Sequence, residues 1–247
     1  MFNKKNDTGI IYPVKGKADP RIGPDAIMVM IKSDLNYLVK ISNAEKLSFS
    51  EMDLYNLYSI FSGHSNKISL AGPFLGAPHA VIALEKMIVL GAKRIWVLGW
   101  CGSLQPEIHI GHILIPTSAV SEEGTSRHYP VRKSIESNQE LNRILENSLT
   151  EKGLSFSKGP IWTTDAVYRE TPEKVKTYQN KGVMAVEMEI SALMTVALYR
   201  SVSLAGLLVV SDELFDCKWR RGFSNQALKK ASRSACELVL NIAGSFA

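Results

Sequence analysis

The chain has 247 residues, of which 45% are hydrophobic and 21% are charged, and it contains 17 glycines and 10 prolines. These proportions are typical of globular proteins and exclude a disordered or fibrous chain. Its three cysteines cannot all pair with one another, and none lies in a C-x-x-C motif, so we expect neither a disulfide framework nor a structural zinc site. Because no apolar run is long enough to span a bilayer and no secretory signal is recognisable, we expect a cytoplasmic protein with no membrane partner.

The formal net charge is +5, from 29 basic and 24 acidic residues. Part of the excess lies in residues 1–25, which we predict to be a basic N-terminal segment, and part lies in residues 218–233. Such stretches can attract nucleic acid or phosphorylated metabolites, but a solvated basic surface is their more frequent origin. We therefore expect no nucleic-acid partner.

Apolar runs of strand length alternate with helical repeats along the rest of the chain. The predicted strands span residues 26–31, 67–71, 94–99, 113–120, 159–164, 185–187 and 204–211. The predicted helices span residues 77–90, 138–152 and 224–242, and a further helix begins at Pro172 after a Thr171 cap. This alternation predicts one α/β domain over residues 26–247, in which helices flank a mixed, mostly parallel central sheet in three layers.

In open α/β sheets the ligand lies beyond the carboxyl ends of the strands, so the residues that follow each apolar run are candidates for a site. Four segments stand out by their glycines, hydroxyl side chains and carboxylates: residues 99–103, 163–168, 186–189 and 209–213. A lone carboxylate after a strand is more often a helix cap than a catalytic group. The function must therefore be inferred from the combination of the four segments.

These four segments, in this order and at these separations, resemble the nucleoside phosphorylase superfamily, which includes bacterial purine nucleoside phosphorylase, uridine phosphorylase and the methylthioadenosine nucleosidases. The most specific piece is Ala-Val-Glu-Met-Glu at residues 185–189, followed by a helix and then Val-Val-Ser-Asp at 209–212. The loop at 123–129 is similar to the uridine phosphorylase branch. The resemblance runs from about residue 67 to the C-terminus, and it implies a nucleoside phosphorylase-like fold and a homo-oligomer, either a dimer or a hexamer.

The resemblance also implies roles for single residues. Glu189 matches the family position that binds the ribose hydroxyls, a pair of donors that one carboxylate can accept. Met188 would pack under the sugar, and Glu187 is a further ribose-side candidate. Asp212 matches the acid that protonates N7 of a purine, a role that requires burial to raise its pKa towards neutrality. The base-side candidates are Val167, Tyr168 and Ser211.

The positions that bind phosphate in the family are altered in this chain. Lys32 stands at the family's loop glycine, and Asn36 stands at the arginine that follows it. Val97 replaces a second arginine and Trp100 replaces a hydroxyl residue, while Val167 replaces an aromatic side chain that stacks on the base. The remaining candidates for the anion side of the site are Lys32, Trp100, Gly102 and Arg127.

From the resemblance we predict an enzyme, a pentosyltransferase of the nucleoside phosphorylase type that cleaves the N-glycosidic bond of a nucleoside, with a purine preferred. Phosphorolysis, with phosphate as co-substrate and no other cofactor or metal, is the main hypothesis because most of the family uses phosphate. Two alternatives stay open: a hydrolytic nucleosidase in which water replaces phosphate, and a non-catalytic nucleoside- or base-binding protein on the same fold. The altered phosphate positions favour the alternatives, whereas Glu189 and Asp212 together favour catalysis.

Overall fold

The computed structural model describes residues 9–49, 54–62, 66–131 and 133–246. The first eight residues of the predicted basic segment lie outside the described residues. Within the described ranges, no helix is both long and apolar enough to cross a membrane.

The described residues form ten strands and six α-helices. In chain order these are β1 Asp25–Val29, α1 Lys32–Ser42, β2 Glu45–Leu47, β3 Asn56–Ser62, β4 Asn66–Gly72, α2 Ala77–Leu90, β5 Arg94–Ser103, β6 Ile113–Ser121, α3 Gln139–Glu151, β7 Phe156–Thr163, α4 Pro172–Asn180, β8 Ala185–Glu187, α5 Ile190–Arg200, β9 Ser203–Glu213, β10 Arg220–Arg221 and α6 Gln226–Ser245. Short 3-10 turns lie at Ser126–His128 and Val167–Arg169.

The strands form one mixed sheet in the order β10-β9-β6-β7-β8-β5-β1-β4-β3-β2, and β5 also pairs with β9. This additional pairing closes β5, β9, β6, β7 and β8 into a ring. In the ring, Gly102 of β5 lies opposite Val186 of β8 on one side and opposite Asp212 of β9 on the other. The closure therefore brings together three of the four segments that the sequence singles out.

Helices cover both faces of the sheet, which confirms the predicted three-layer α/β fold. One buried apolar cluster lies under α2 and α5, with Leu84 and Leu193 fully buried. The other lies under α1, α3 and α6, with Leu38, Leu145 and Leu238 similarly buried. The sheet is mixed, as predicted, and antiparallel hairpins extend it at both ends through β2, β3 and β4 and through β9 and β10.

Several local predictions are confirmed. The helix over residues 77–90 has the predicted bounds, because Gly91 ends it with a φ of 135°, a value that favours glycine. Helix α4 begins at Pro172, and the Thr171 hydroxyl accepts a hydrogen bond from the backbone N–H of Lys174. Strand β5 is longer than predicted and continues to Ser103, so the glycine segment is itself part of the sheet.

Candidate active site

A cavity of about 620 Å³ lies beyond the carboxyl ends of β1 and β4 and beside the end of β8. Such positions, outside the ends of the strands, are where open α/β sheets bind ligands. The residues that line it are Met30, Ile31, Lys32, Lys46, Leu54, Tyr55, Asn56, Pro73, Phe74, Leu75, His79, Trp100, Glu187, Met188 and Glu189. The structure thus brings the three ribose-side candidates and two of the anion-side candidates to one cavity.

Glu189 contributes a buried carboxyl group to the cavity wall, at the start of α5. The backbone N–H of Gly76 donates a hydrogen bond to its Oε1 at 2.5 Å. Burial raises the pKa of Glu189, and the charge of Glu187 raises it further. A carboxyl group held in this way presents a strong hydrogen-bonding group to a hydroxyl-bearing ligand.

Glu187 has a structural role that its motif did not reveal. Its Oε2 accepts hydrogen bonds from the backbone N–H groups of Glu189 at 2.6 Å and Ile190 at 2.7 Å. Its Oε1 accepts a hydrogen bond from the Thr163 hydroxyl. The side chain therefore satisfies donors at the start of α5 and fixes the position of Glu189, and burial raises the pKa of Glu187.

Asp212 lies at the carboxyl end of β9 and is half-buried rather than fully buried. The Ser211 hydroxyl donates to its Oδ1 at 2.6 Å, and the indole Nε1–H of Trp219 donates to its Oδ2 at 2.8 Å. The exposure follows from the fold, because the end of β9 has only the two-residue β10 on its outer side. A Cβ atom at Gly102 would lie 2.5 Å from Leu214 Cδ1 and 3.2 Å from Asp212 Oδ2, so a larger residue there would displace the ends of these two side chains.

A second carboxyl group, which the sequence analysis missed, lies near Asp212. Glu170 is half-buried at the end of the 3-10 turn that precedes α4. Burial, together with the charge of Asp212, raises the pKa of Glu170 to about 7. Its position two residues after Tyr168 was the available signal, but no spacing rule distinguishes it from an exposed loop glutamate.

Asp212 and the three base-side candidates are not among the residues that line the cavity. Val167 and Tyr168 are 45% and 93% exposed in the 3-10 turn. Ser211 is buried, and its hydroxyl lies 3.3 Å from the carbonyl oxygen of Cys101 as well as contacting Asp212. Ser211 therefore positions Asp212, and neither Val167 nor Tyr168 is among the residues that line the cavity.

The anion-side candidates separate into two groups. Lys32 and Trp100 line the cavity. Gly102, buried in β5, and Arg127, exposed in the 3-10 turn Ser126–His128, do not. Lys46 on β2 also lines the cavity; sequence reasoning missed it because β2 is remote from the motifs.

Trp100 contacts a cluster of polar side chains behind the cavity wall. Its indole Nε1–H donates to the Ser232 hydroxyl at 3.3 Å. Ser232 and Trp100 also interact with the buried Asp34 carboxyl group on α1, and burial raises the pKa of Asp34. Val97, which we expected at a phosphate-binding position, is buried in the core. The cavity wall on this side thus presents an indole, from Trp100, and a lysine, Lys32.

A family model described as the phosphorylase superfamily matches residues 26–243. The chain belongs to that superfamily. Among its curated relatives are DeoD-type purine nucleoside phosphorylases of Bacillus cytotoxicus and Bacillus cereus, each 32% identical over 152 residues. Each alignment covers 60% of this chain and 65% of the relative, so the match spans somewhat less than two thirds of the relatives' length. The family membership predicted from the motifs is confirmed.

Solved structures of the superfamily share the fold. The Toxoplasma gondii purine nucleoside phosphorylase, solved in complex with immucillin-H, superposes with a TM-score of 0.81 at 21% identity and covers 92% of both chains. A Vibrio fischeri uridine phosphorylase gives a TM-score of 0.80 at 22% identity, covering 94% of this chain and 98% of its own. The described residues include no group of three or more His, Cys, Asp or Glu side chains that could hold a metal ion.

Proposed function

We propose that this protein cleaves the N-glycosidic bond of nucleosides, as a pentosyltransferase of the nucleoside phosphorylase type. The observation that carries the proposal is the buried carboxyl group of Glu189, held at the cavity wall by Gly76 at the family's ribose-binding position. Cleavage passes through an oxocarbenium-like state, so the site must hold the ribose, assist departure of the base and admit a nucleophile to the sugar. Glu189 and Met188 supply the first of these tasks.

Departure of the base is assigned to Asp212. The electron pair of the breaking C–N bond moves into the purine ring, and a proton from the Asp212 carboxyl group goes to N7. Glu170 lies near Asp212, and burial together with the charge of Asp212 raises the pKa of Glu170 to about 7, so the base side that we propose includes a carboxyl group that keeps its proton near neutral pH. Uracil leaves through its carbonyl oxygens and needs no such acid, so we propose a preference for purine nucleosides.

Phosphorolysis is the main hypothesis for the second half of the reaction, in which a phosphate oxygen attacks C1′ and forms ribose 1-phosphate. It is supported by the family and by the purine nucleoside phosphorylases among the relatives. Lys32 and Lys46 both line the cavity, and we assign contact with phosphate to these two cationic side chains. Phosphate bound by lysines alone would lack the bidentate contacts that arginine provides, so we expect weak phosphate binding.

A specific observation favours hydrolysis as the second candidate. Trp100 occupies the place of a phosphate-binding hydroxyl residue, and its indole N–H is engaged by Ser232 rather than directed to a ligand. The buried Asp34 carboxyl group behind it adds no attraction for an anion. If phosphate is excluded in this way, water attacks C1′ and the product is free ribose.

One experiment tests both candidates. The purified protein is incubated with adenosine, inosine, guanosine and uridine, with and without phosphate, and the sugar product is identified. We expect purine cleavage, and either ribose 1-phosphate with a high phosphate KM or phosphate-independent release of ribose. Absence of cleavage of every nucleoside, with nucleoside binding retained, would instead support the non-catalytic alternative.

Glu189→Gln provides the matched variant. The amide oxygen can still accept from Gly76, so the fold should be kept, but the amide nitrogen places a donor against the ribose hydroxyls. We expect kcat/KM to fall by a factor that corresponds to a loss of about 2–4 kcal/mol of transition-state stabilisation. An unchanged kcat/KM for a cleavable nucleoside would remove Glu189 from the site.

A further inference from the structure

A buried carboxyl group of the segment that follows β6 is bonded to the start of α5. Glu123 is only 6% exposed, and its Oε1 accepts hydrogen bonds from the hydroxyl groups of Ser121 at 2.7 Å and Ser191 at 2.9 Å. Its Oε2 accepts hydrogen bonds from the backbone N–H groups of Thr125 at 2.6 Å and Ser126 at 3.0 Å. Both carboxylate oxygens are thus satisfied, and one of them joins this segment to Ser191, the second residue of α5.

The hydrogen bonds continue from Ser191 to the acids at the cavity. The backbone N–H of Ser191 donates to the Thr163 hydroxyl at 2.9 Å, and that hydroxyl donates to Glu187. Glu187 in turn accepts from the backbone N–H of Glu189 at 2.6 Å. Ser191 therefore links Glu123 to Glu187. Because Ser191 lies two residues after Glu189, its contacts fix the backbone that carries the Glu189 carboxyl group.

Glu123 also places a charge beside Glu187. Burial opposes ionisation of Glu123, but its hydrogen bonds outweigh burial and lower its pKa below the ordinary 4.5, so it is a carboxylate at neutral pH. Burial raises the pKa of Glu187, and the charge of Glu123 contributes to the rise. Glu187 therefore keeps its proton to a higher pH than it would beside a neutral group.

Glu187 is also surrounded by titratable groups of other elements. Glu189 belongs to the start of α5. Cys101 of β5 lies close enough that the charge of Glu187 adds to the rise in the pKa of its thiol, which is caused mainly by burial. Because a substitution of Glu123 leaves these groups in place, a change in the titration of Glu187 reports on Glu123. Basic side chains of α1, β2 and α2 line the same cavity: Lys32, Lys46 and His79.

We propose that Glu123 is a positioning residue of the candidate active site. Through Ser191 it fixes the start of α5 and therefore Glu189, and through its charge it acts on Glu187. The inference rests on the proposed function, since it assigns a role in holding the ribose-binding carboxyl group. A role in folding alone would require only the hydrogen bonds of Glu123, whereas the proposed role requires its charge as well.

Three variants separate the contact from the charge. In Glu123→Gln the amide oxygen can accept from the two backbone N–H groups and the two serine hydroxyl groups can accept from the amide nitrogen, so the contacts are kept and the charge is removed. Ser191→Ala keeps the charge and removes the contact with α5. The control is Glu136→Gln, which removes an exposed carboxylate that accepts from the Ser134 hydroxyl in the same segment between β6 and α3.

The charge is tested by the titration midpoint of the Glu187 side-chain carboxyl carbon, which does not depend on cleavage. NMR of protein labelled with ¹³C-glutamate follows this carbon, and its signal is assigned as the one lost in Glu187→Gln. We expect Glu123→Gln to lower the midpoint by about half a pH unit or more, because one neighbouring negative charge is removed. Ser191→Ala and Glu136→Gln should leave the midpoint unchanged.

The contact is tested by steady-state kinetics with inosine. We expect Ser191→Ala to raise KM by about twofold to tenfold, the scale of one lost hydrogen bond, with a smaller change in kcat. Glu123→Gln keeps the hydrogen bond to Ser191, so its KM should stay close to that of the wild type. Glu136→Gln should match the wild type in both constants.

An unchanged Glu187 midpoint in Glu123→Gln would overturn the inference, as would equal effects of Glu136→Gln on the midpoint or on KM. The outcomes separate this inference from the proposed function. A lowered midpoint in Glu123→Gln, with no cleavage of any nucleoside by the wild type, would overturn the proposed function alone. Cleavage with equal KM in the wild type and Ser191→Ala would overturn only the positioning role.

Discussion

Asp212 and Glu170 are neighbouring carboxyl groups, and they show how far single residues can be interpreted from sequence. The motif at residues 209–212 was enough to select Asp212, because a family pattern identifies the position whatever its surroundings. Its degree of burial was not predictable, since it depends on β10, a strand of two residues. Glu170 was missed because its environment is created by residues distant in sequence, Asp212 among them.

Asp212→Asn tests the assignment of the acid. The asparagine oxygen can accept from Trp219, and the Ser211 hydroxyl can reverse its role and accept from the amide nitrogen, so the fold should be retained. The amide cannot transfer a proton, and we expect purine cleavage to slow by about 10² to 10⁴ with little change in KM. Steady-state kinetics with inosine and uridine measures the effect. Full activity of the variant, or a wild-type preference for uridine, would contradict the assignment.

Glu170→Gln tests the electrostatics of the same pair through stability. The folded-state pKa of Glu170 is raised from its ordinary 4.5 to about 7, so stability is fully present below pH 4.5 and is lost as the pH rises through 7. Glutamine does not titrate, so the variant does not lose stability over this pH range. We therefore expect it to match the wild type near pH 4.5 and to exceed its unfolding free energy by about 2 kcal/mol at pH 8. Urea unfolding at the two pH values measures the difference.

The charge of Asp212 raises the pKa of Glu170, so the same measurement in an Asp212→Asn background serves as a double-mutant cycle. In the Asp212→Asn background, Glu170→Gln should raise the unfolding free energy at pH 8 by a smaller amount. A gain that is equal at both pH values, or unchanged in the Asp212→Asn background, would show that the two carboxyl groups are not coupled.

Among the helices and strands, the prediction succeeded where local signals set the bounds. Helix α2 has Pro78 in its first turn and Gly91 after its last residue, and its bounds were predicted correctly. Helix α1 was not predicted, because Ile31 provides no side-chain cap and only Leu35 and Leu38 are its buried apolar residues. Strand β2 has three residues, none of them buried, and its pairing with β3 depends on tertiary structure rather than local pattern.

The start of α5 depends on one buried side chain. Glu187 accepts from two backbone N–H groups and from the Thr163 hydroxyl, so Glu187→Ala would leave three buried donors without their acceptor. We expect the unfolding free energy to fall by about 3 kcal/mol, and by less than half of that in Glu187→Gln, which keeps an amide oxygen as acceptor. Urea unfolding measures both. Equal stability of the wild type and Glu187→Ala would refute the capping role and leave Glu187 as a ligand-binding residue.

For the whole molecule, closure of the sheet between β5 and β9 determines where the site lies. The predicted alternation of strands and helices gave the three layers, but it contained no sign that β5 would pair with β8 and β9 at once. Gly102 lies at that double pairing, and a side chain there would displace the ends of Leu214 and Asp212. The site is therefore a product of long-range strand pairing, whereas Glu187, Met188 and Glu189 are recognisable in one short motif.

The surface of α2 bears on the predicted homo-oligomer. Ile82 and Val89 are 50% and 36% exposed, and Leu75 just before the helix is 75% exposed. The three are spaced by seven residues, and at that spacing Ile82 and Val89 lie on one face of α2 two turns apart. Apolar side chains aligned along one helix face are typical of surfaces that associate. We therefore expect the protein to self-associate through α2.

Ile82→Glu tests this expectation, because a charge in the middle of an apolar contact is costly to bury. Light scattering coupled to size-exclusion chromatography should give a multiple of the monomer mass for the wild type and a smaller species for the variant. The control is Ile41→Glu, which changes an apolar residue that is 39% exposed on α1, on the opposite side of the sheet. It should leave the mass unchanged. A monomeric wild type, or equal dissociation by both substitutions, would exclude α2 as the association surface.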